Sequence, residues 1–390
     1  MTQNRRKKGI SRKWFIAGIL GLAAIVVAAE VLLLTGVFNK KDKKENKEKV
    51  TPTAEVVKPT AGNETTVTPT PDDGMVTVYR ETVRYFMYND QPYPGVEMTY
   101  NESGLMTEYR EADQNGKEYA HIRYEYDEED RLIKTERIEA DGETSETVTR
   151  SYNQAGQILE IIYRPSENQH VSPEREVYEY DGKGRKIKEA MYGMDPEIFE
   201  YEIDYVYNED GLMTDYYWHG AYGDSTEHYH YEYDAACHET KSAKEQADGS
   251  FKTVTEKKYD GKGNVVVDIL YSEDGQWVAT RMYDYDGDGN LTARYDLASE
   301  EPNADNYSSK TVYSYDEKGR LVRETMYYRD GEVLNDQGHV YDENGCLVKD
   351  VNYNPDGTIA GSIGHEYMAF SIPYEKLTDE DLEWYNREHK

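Results

Sequence analysis

The stretch YDEKGRL, residues 315–321, contains the unit from which most of the chain is built. The unit is a tyrosine, an aspartate or asparagine, two variable residues, a glycine, one more variable residue and an apolar residue. Ten copies follow one another at spacings of 26 to 30 residues, with Asp130 and Cys237 replacing the glycine in two of them. Ten copies at a nearly constant period define an internal repeat. They begin at Tyr100, Tyr126, Tyr152, Tyr180, Tyr207, Tyr233, Tyr259, Tyr285, Tyr315 and Tyr341.

A second turn marker lies fifteen residues after the repeat tyrosine in six repeats. The marker is Asn115-Gly116, Asp141-Gly142, Asp248-Gly249, Asp274-Gly275, Asp330-Gly331 or Asp356-Gly357. Aspartate at the first position and glycine at the fourth favour a type I turn that ends in a residue with positive φ. Asn-Gly and Asp-Gly pairs are strong hairpin signals as well. Each repeat is therefore predicted to form two antiparallel strands with a turn at either end.

Tyr-x-Tyr doublets such as Tyr124/Tyr126 and Tyr283/Tyr285 place two rings on one face of a strand. Rings on neighbouring strands then stabilise the sheet through cross-strand pairs. About twenty strands exceed what one open twisted sheet holds without curling. We therefore expect an all-β fold of about ten tandem antiparallel β-hairpin repeats, with a period of about 26, forming a long curled ribbon or spiral. Whether the ribbon closes is left open.

The N-terminal part differs from the repeats. An apolar run of 25 residues, 14–38, follows a basic stretch and exceeds the roughly 20 residues needed to span a bilayer. It predicts a transmembrane signal-anchor helix, since the run continues past the alternative signal-peptide cleavage site at 27–29. The predicted protein is single-pass in the cell membrane with its bulk extracytoplasmic. The predicted parts are a basic cytoplasmic tail 1–13, the anchor 14–38, a Lys/Glu and then Thr/Pro linker 39–74, a repeat domain 75–371 and a C-terminal capping segment 372–390.

The last residues have the signals of a short helix. Thr378 is a good N-cap, and acidic residues fill the first turn after it. Leu377 and Leu382 have the spacing of a hydrophobic staple. With Trp384 and Tyr385, this helix is expected to cover the open end of the last strand.

Charge and cysteine content limit the partners. The net charge is −32, with 77 acidic and 45 basic residues, so nucleic acid and anionic lipid are unfavourable partners for the repeat part. The two cysteines, Cys237 and Cys346, lie four repeats apart and are too distant for a disulfide within one flat ribbon. We expect free thiols or an intermolecular bond.

Two clusters resemble metal ligands. Asp284, Asp286 and Asp288 match the start of a calcium loop, although the repeat motif itself explains most of the match. Calcium therefore stays a weak possibility, and no other cofactor is predicted. His228 and His230 share a strand face and are a second, weaker candidate pair. No catalytic motif is recognisable, so the chain is predicted not to be an enzyme.

The irregular repeats are the best candidates for a binding site. The Asp-Gly turn is missing in three consecutive repeats, whose loops 164–172, 193–199 and 218–226 are expected side by side on one edge. Aromatic side chains on this edge suit sugars or peptides. The candidate ligand-binding residues are His170, Phe199, Trp218, His219 and Tyr222.

Three repeats carry a family resemblance: YDEKGRL at 315–321, YDGDGNL at 285–291 and YDENGCL at 341–347. They resemble the YD repeat of rearrangement-hotspot (RHS) proteins, and the resemblance spans roughly residues 98–360. It implies an extended β-hairpin ribbon and a cell-surface role in binding or adhesion. Only about thirty residues follow the last hairpin turn, so the chain is interpreted as a short, membrane-anchored member without a toxin domain.

These observations predict a membrane-anchored repeat protein that acts as a binding or adhesion module for cell-wall or other glycan. The alternative is a structural or protein–protein interaction scaffold at the cell surface, with a surface protein as the partner.

Overall fold

The computed structural model describes residues 74–88, 91–166, 171–194, 197–221 and 226–388. All of them belong to one compact unit, residues 65–390. They form 22 strands, two single-turn 3₁₀ helices and one α-helix. The elements are β1 Met75–Tyr88, β2 Gln91–Tyr100, β3 Met106–Ala112, β4 Glu118–Tyr126, β5 Leu132–Ile138, β6 Thr144–Tyr152, β7 Ile158–Pro165, β8 Glu174–Tyr180, β9 Lys186–Met194, β10 Glu197–Tyr207, β11 Met213–Gly220, β12 Thr226–Tyr233, β13 Glu239–Glu245, β14 Phe251–Tyr259, β15 Val265–Tyr271, β16 Trp277–Tyr285, β17 Leu291–Leu297, β18 Tyr307–Tyr315, β19 Leu321–Tyr328, β20 Val333–Tyr341, β21 Leu347–Tyr353, β22 Ile359–Pro373 and α1 Asp379–Glu388, with 3₁₀ turns at Ala304–Asn306 and Tyr374–Lys376.

The turn after each repeat tyrosine has the predicted geometry. In the turn from β18 to β19, Gly319 N donates to Asp316 O at 3.0 Å and Asp316 N donates to Arg320 O at 2.9 Å. The Asp316 carboxylate accepts the Lys318 and Arg320 amides at 2.9 and 3.0 Å, which fixes the loop locally. Gly319 has a φ of +76°. The two described non-glycine residues with positive φ are Asp130 and Cys237, which replace the repeat glycine.

The Asp-Gly markers form the same turn at the other ends of the strands. Gly116 N donates to Asp113 O at 2.9 Å, and Asp113 N donates to Lys117 O at 3.0 Å. We call the edge that carries the turns after the repeat tyrosines (101–105 to 342–346) the Tyr-Asp rim. The opposite edge, with turns such as 113–117 and 354–358, is the Asp-Gly rim.

Most hairpins also contain a bulge next to the turn. The pairing register shifts between Ser314 and Tyr315 in the β18–β19 hairpin and between Met326 and Tyr327 in the β19–β20 hairpin. A bulge adds one residue to one strand, bends that strand and increases its twist. Because the bulges recur around the sheet, they bend it repeatedly.

The sheet closes on itself, so the expected open ribbon or spiral is wrong. β1 pairs with β22 from Met75↔Pro373 to Tyr85↔Gly364, and the second half of β1 pairs with β2. The first and last strands therefore have partners on both sides. Closure removes the two strand edges that an open ribbon would leave with unpaired backbone groups. The all-β class and the tandem antiparallel hairpins are as predicted.

A ladder of tyrosine hydroxyls runs along one face of the sheet. Eleven tyrosines, the ten repeat tyrosines and Tyr367, each donate to a carbonyl of the preceding strand at 2.6 to 3.0 Å. The acceptor is the first residue of that strand in ten cases and Glu81, in the middle of β1, for Tyr100. Tyr315 Oη, for example, lies 2.9 Å from Leu291 O. The residue before each of these tyrosines is exposed, while the tyrosines are half-buried. We call the more buried side the tyrosine face.

The C-terminal helix α1 packs on the parts of β1 and β22 that project past the Tyr-Asp rim. Asp381 N donates to Thr378 Oγ1 at 3.1 Å and Thr378 N donates to the Asp381 carboxylate at 3.0 Å, which confirms Thr378 as the N-cap. Since the sheet has no open edge, the helix does not cover the end of a strand ladder. It lies over the Tyr-Asp rim instead, where Glu388 pairs with Lys318 at 2.8 Å.

The predicted anchor, residues 14–38, lies outside the described residues, as does the linker up to residue 73. In the part of the chain that the structure describes, no helix is long and apolar enough to cross a membrane. No helix in the described residues supports the predicted single-pass localisation.

Candidate ligand-binding surface on the tyrosine face

The structure separates the five aromatic candidates. Trp218 lies on the tyrosine face of β11, two residues after Tyr216, and its neighbour His219 therefore points to the opposite face. A register shift between Phe199 and Tyr201 also turns Phe199 to the opposite face. His170 and Tyr222 lie outside the described residues.

The two candidates on the opposite face already have partners. The Phe199 ring packs edge-on against Tyr192 with centroids 5.8 Å apart. His219 Nε2 lies 3.3 Å from an Asp204 carboxylate oxygen. Neither side chain faces Trp218, so the predicted five-residue edge is not one surface in the described residues.

Trp218 instead belongs to a group of rings on β10, β11 and β12. Its ring stacks on Tyr201 with centroids 6.3 Å apart and 30° between planes. Tyr216 lies edge-on between Tyr205 and Tyr229, at 5.8 Å from each. Both Tyr216 contacts are between residues directly opposite each other on adjacent strands. We call Tyr201, Tyr205, Tyr216, Trp218 and Tyr229 the aromatic patch.

Carboxylates and one ammonium border the patch on the β8–β9 side. Glu189 accepts a hydrogen bond from Tyr205 Oη at 3.2 Å and pairs with Lys186 Nζ at 2.8 Å. Lys186 Nζ also lies 4.7 Å from the centroid of the Tyr205 ring, a cation–π distance. Beside them, Tyr178 Oη donates to Glu176 at 2.5 Å.

The β13 side has a similar border. Lys244 Nζ lies 2.6 Å from Glu273, 3.2 Å from Glu227 and 5.3 Å from the centroid of the Tyr229 ring. The Lys244 side chain is only 11% exposed, so its charge is held by these two carboxylates. The patch thus has ring faces at its centre and charged hydrogen-bonding groups on both sides.

The local electrostatics keep the phenols protonated. Burial raises the pKa of Tyr178, and the Glu176 carboxylate raises it further. Burial and the neighbouring Glu189 carboxylate likewise raise the pKa of Tyr205. Burial also raises the pKa of Glu176, against the hydrogen bond from Tyr178. At neutral pH these tyrosines remain hydroxyl donors, which suits binding by stacking and hydrogen bonds.

Sequence reasoning found Trp218 but missed its partners. The available signal was the two-residue period of aromatic side chains along each strand, which puts alternate rings on one face. The pairs are Tyr205/Tyr207, Tyr216/Trp218 and Tyr229/Tyr231. The binding site was predicted from the irregular loops and not from the strand faces, so the partners of Trp218 were missed.

The predicted metal ligands are not assembled. Asp284 lies on the exposed face and accepts a hydrogen bond from Tyr295 Oη at 2.8 Å. Asp286 is occupied by the Asp288 and Asn290 amides at 2.9 and 2.8 Å, as in every repeat turn with aspartate at this position. Within residues 74–388, leaving aside the undescribed gaps, no group of three or more His, Cys, Asp or Glu side chains is arranged to hold a metal ion.

The two histidines pair with carboxylates, and the two cysteines form no disulfide. His228 uses one ring nitrogen on Asp215 and the other on Glu245, both at 2.8 Å, and His230 reaches the same Asp215 at 2.9 Å. Cys237 is exposed and Cys346 is buried, and both are free thiols.

Comparisons with known proteins add little detail. No family model and no curated protein matches the chain. Among solved structures, it is similar to TcdB2-TccC3, at 12% identity and a TM-score of 0.34, over 79% of this chain and 18% of that chain. A structure of the Photorhabdus luminescens Tc holotoxin pore matches at 13% identity and a TM-score of 0.28, over 73% of this chain and 18% of that chain. A porin-like protein from Bacteroides uniformis matches at 10% identity and a TM-score of 0.21, over 67% of this chain and 96% of that chain.

This chain thus spans less than a fifth of the TcdB2-TccC3 chain that it matches. The chain's own pairing pattern defines its class: it is a tandem β-hairpin repeat protein whose strands form one closed sheet.

Proposed function

We propose that the chain is a non-enzymatic binding protein whose aromatic patch holds a glycan. The observation that carries the proposal is the group of five rings on three adjacent strands, made of the Tyr201–Trp218 stack and the row Tyr205–Tyr216–Tyr229. The carboxylates at its borders are Glu176, Glu189 and Glu227. Sugar rings present apolar C–H faces to aromatic rings and hydroxyl groups to carboxylates and amines. A surface with apolar rings and a few fixed polar groups is typical of ligand sites.

Charge supports an uncharged or cationic ligand. The patch lies on a protein of net charge −32, and the lysines at its borders are already neutralised by glutamates. An anionic polymer would meet repulsion there. Membership of the YD-repeat family belongs to the same proposal, since it rests on the repeat motif alone.

The test compares two aromatic substitutions on opposite faces. Full-length chain, Trp218→Ala and Phe199→Ala are each mixed with chitin, cellulose and isolated bacterial cell walls, and the bound fraction is measured after sedimentation. Trp218→Ala is expected to weaken retention about tenfold, which corresponds to the loss of one good stacking contact. Phe199→Ala is the matched control and is expected to bind like the unmodified chain.

Folding is checked by far-ultraviolet circular dichroism and thermal unfolding of each variant. Equal retention of the two variants would place the binding surface elsewhere. Absence of the unmodified chain from every pellet would reject a glycan as the ligand. Repeating the assay with a calcium chelator tests the weak calcium prediction, and unchanged retention would reject a calcium requirement.

A second candidate function, a protein-interaction scaffold, is favoured by a different observation, the exposed apolar side chains of the Asp-Gly rim.

A further inference from the structure

The Asp-Gly rim carries most of the large apolar side chains that the described residues leave exposed. Six of them follow the rim from β14 to β4: Phe251, Val278, Leu334, Ile359, Met87 and Tyr119. Their exposure ranges from 44% to 60%. Three of them, Val278, Leu334 and Tyr119, are bulged residues at the second position of their strands, so the backbone presents them outward. We call these six side chains the apolar arc.

The turns between these side chains are acidic. The described turns of this rim contain two basic residues, Lys117 and Arg329. Their acidic residues are Asp113, Glu139, Asp141, Glu143, Asp248, Glu273, Asp274, Glu300, Glu301, Asp305, Asp330, Glu332 and Asp356. A second copy of the chain would bring the same negative rim and is disfavoured, as is an anionic lipid surface. A cationic partner is favoured.

The Tyr-Asp rim shows how this chain covers such turns. Phe370 and Ile372 of β22 lie against the Gly104 turn, close enough that a Cβ on Gly104 would lie 2.9 Å from Ile372. Arg80 Nε donates to Gly104 O at 3.3 Å, and Lys376 pairs with Asp130 in the next turn. Aliphatic and aromatic side chains interleaved with basic groups thus cover two turns of the same geometry.

We propose that the Asp-Gly rim docks a basic protein segment that carries apolar side chains, in the way that β1 and the chain's own C-terminal part cover turns of the Tyr-Asp rim. The apolar arc supplies the area removed from water, and the acidic turns supply the attraction for lysine and arginine. This site is separate from the aromatic patch and does not depend on glycan binding.

The test uses full-length chain and two synthetic peptides of equal length, one alternating leucine and lysine and one alternating serine and lysine. The rim variant carries Val278→Ser, Leu334→Ser and Ile359→Ser. The matched control carries Leu159→Ser, Val206→Ser and Val340→Ser, three apolar residues of 40% to 48% exposure away from this rim. Affinities are measured by fluorescence anisotropy at physiological salt, and oligomeric state by light scattering.

The leucine–lysine peptide is expected to bind the rim variant at least about tenfold more weakly than the unmodified chain, and the control within about twofold. The serine–lysine peptide is expected to bind weakly to all three proteins. Equal affinity for the rim variant and the control overturns the proposal, and so does equal affinity for the two peptides, which would mean attraction by charge alone. A dimer of the unmodified chain that the rim variant loses would make a second copy the occupant and would also overturn it.

Discussion

The two rims of the closed sheet are made from the same turn, yet part of the Tyr-Asp rim is covered by α1 and the ends of β1 and β22, whereas no such cover lies on the described part of the Asp-Gly rim. At the Tyr-Asp rim, Val76 and Ile372 are 2% and 5% exposed beneath α1. At the Asp-Gly rim, Val278 and Ile359 are 59% and 60% exposed. Local turn geometry therefore does not decide whether a rim is buried.

What differs is the length of the two closing strands. β1 has 14 residues and β22 has 15, against 7 to 11 in the others, and both project past the Tyr-Asp rim. The projecting parts bring Val76, Val78 and Ile372 together with Leu377 and Tyr385 in one buried apolar cluster. Closing the sheet and covering a rim are thus done by the same two strands.

The largest expected effect tests this difference directly. Ile372→Ala removes a buried side chain and is expected to lower the free energy of unfolding by about 2–5 kcal/mol. Ile359→Ala on the exposed rim is the matched control, with an expected change within about 0.5 kcal/mol. Equilibrium unfolding in urea measures both. Equal losses at the two rims would mean that the difference in burial does not matter for stability.

A pH-dependent contribution comes from the seam between β1 and β22. His365 of β22 is 7% exposed, and its ring nitrogens lie 2.5 Å from Glu81 of β1 and 3.2 Å from Asp350 of β21. Glu81 also pairs with Arg84 at 2.7 Å, and Asp350 with His339 at 2.6 Å. Burial lowers the pKa of His365, but the hydrogen bonds that its ring donates to the Asp350 and Glu81 carboxylates outweigh burial and raise the pKa to about 9.

Because the pKa of His365 is higher in the folded chain than its ordinary value of 6.5, protonation stabilises the fold. This contribution is complete below about pH 6.5 and is lost as the pH rises through about 9. His365→Gln is therefore expected to cost up to about 3 kcal/mol at pH 6 and much less at pH 10. Urea unfolding at the two pH values measures the difference. A cost independent of pH would show that the imidazolium is not what holds the seam.

This seam explains which part of the fold was predictable. The repeat motif identified the turns, and even its two exceptions, Asp130 and Cys237, adopt the positive φ expected at that position. Closure depends on β1 and the end of β22, where the motif is absent. Tyr367 continues the tyrosine ladder by donating to Leu347 O at 3.0 Å, but no Asp-x-x-Gly follows it to reveal an eleventh unit.

The candidate site was predictable to a similar extent. Trp218 was predicted from its place in the irregular loop 218–226, whereas the face to which each neighbour points depends on bulges that the sequence does not mark. The shift beside Glu200 separates Phe199 from Tyr201, for example, although the two residues are only two positions apart. Alternation alone would place their rings on one face.

A smaller effect is expected from the tyrosine ladder. Tyr315→Phe removes one hydroxyl that donates to Leu291 O at 2.9 Å, and the expected loss is about 1 kcal/mol. Tyr328→Phe, at the Asp-Gly rim where the side chain is 46% exposed, is the control and is expected to change stability very little. Thermal unfolding compares the two. If both variants match the unmodified chain, the ladder does not contribute to stability.

The smallest effect tests whether the turns of the two rims are equivalent, as their geometry indicates. Cys237 at the Tyr-Asp rim has a φ of +68°, which glycine adopts without the clash of a Cβ, so Cys237→Gly is expected to stabilise the chain by about 0.5–1 kcal/mol. Gly331 at the Asp-Gly rim has a φ of +88°, and an added Cβ would have no atom within 4 Å, so Gly331→Ala is expected to cost about 1 kcal/mol through backbone strain alone. Urea midpoints of the two single variants and of the double variant measure these effects.

The two stability changes are expected nearly to cancel in the double variant, because the two turns share no contact and their free energies should add. A loss in the Cys237→Gly variant would mean that the thiol stabilises its turn by a contact that outweighs the strain, and the two rims would then differ in their turns as well as in their cover.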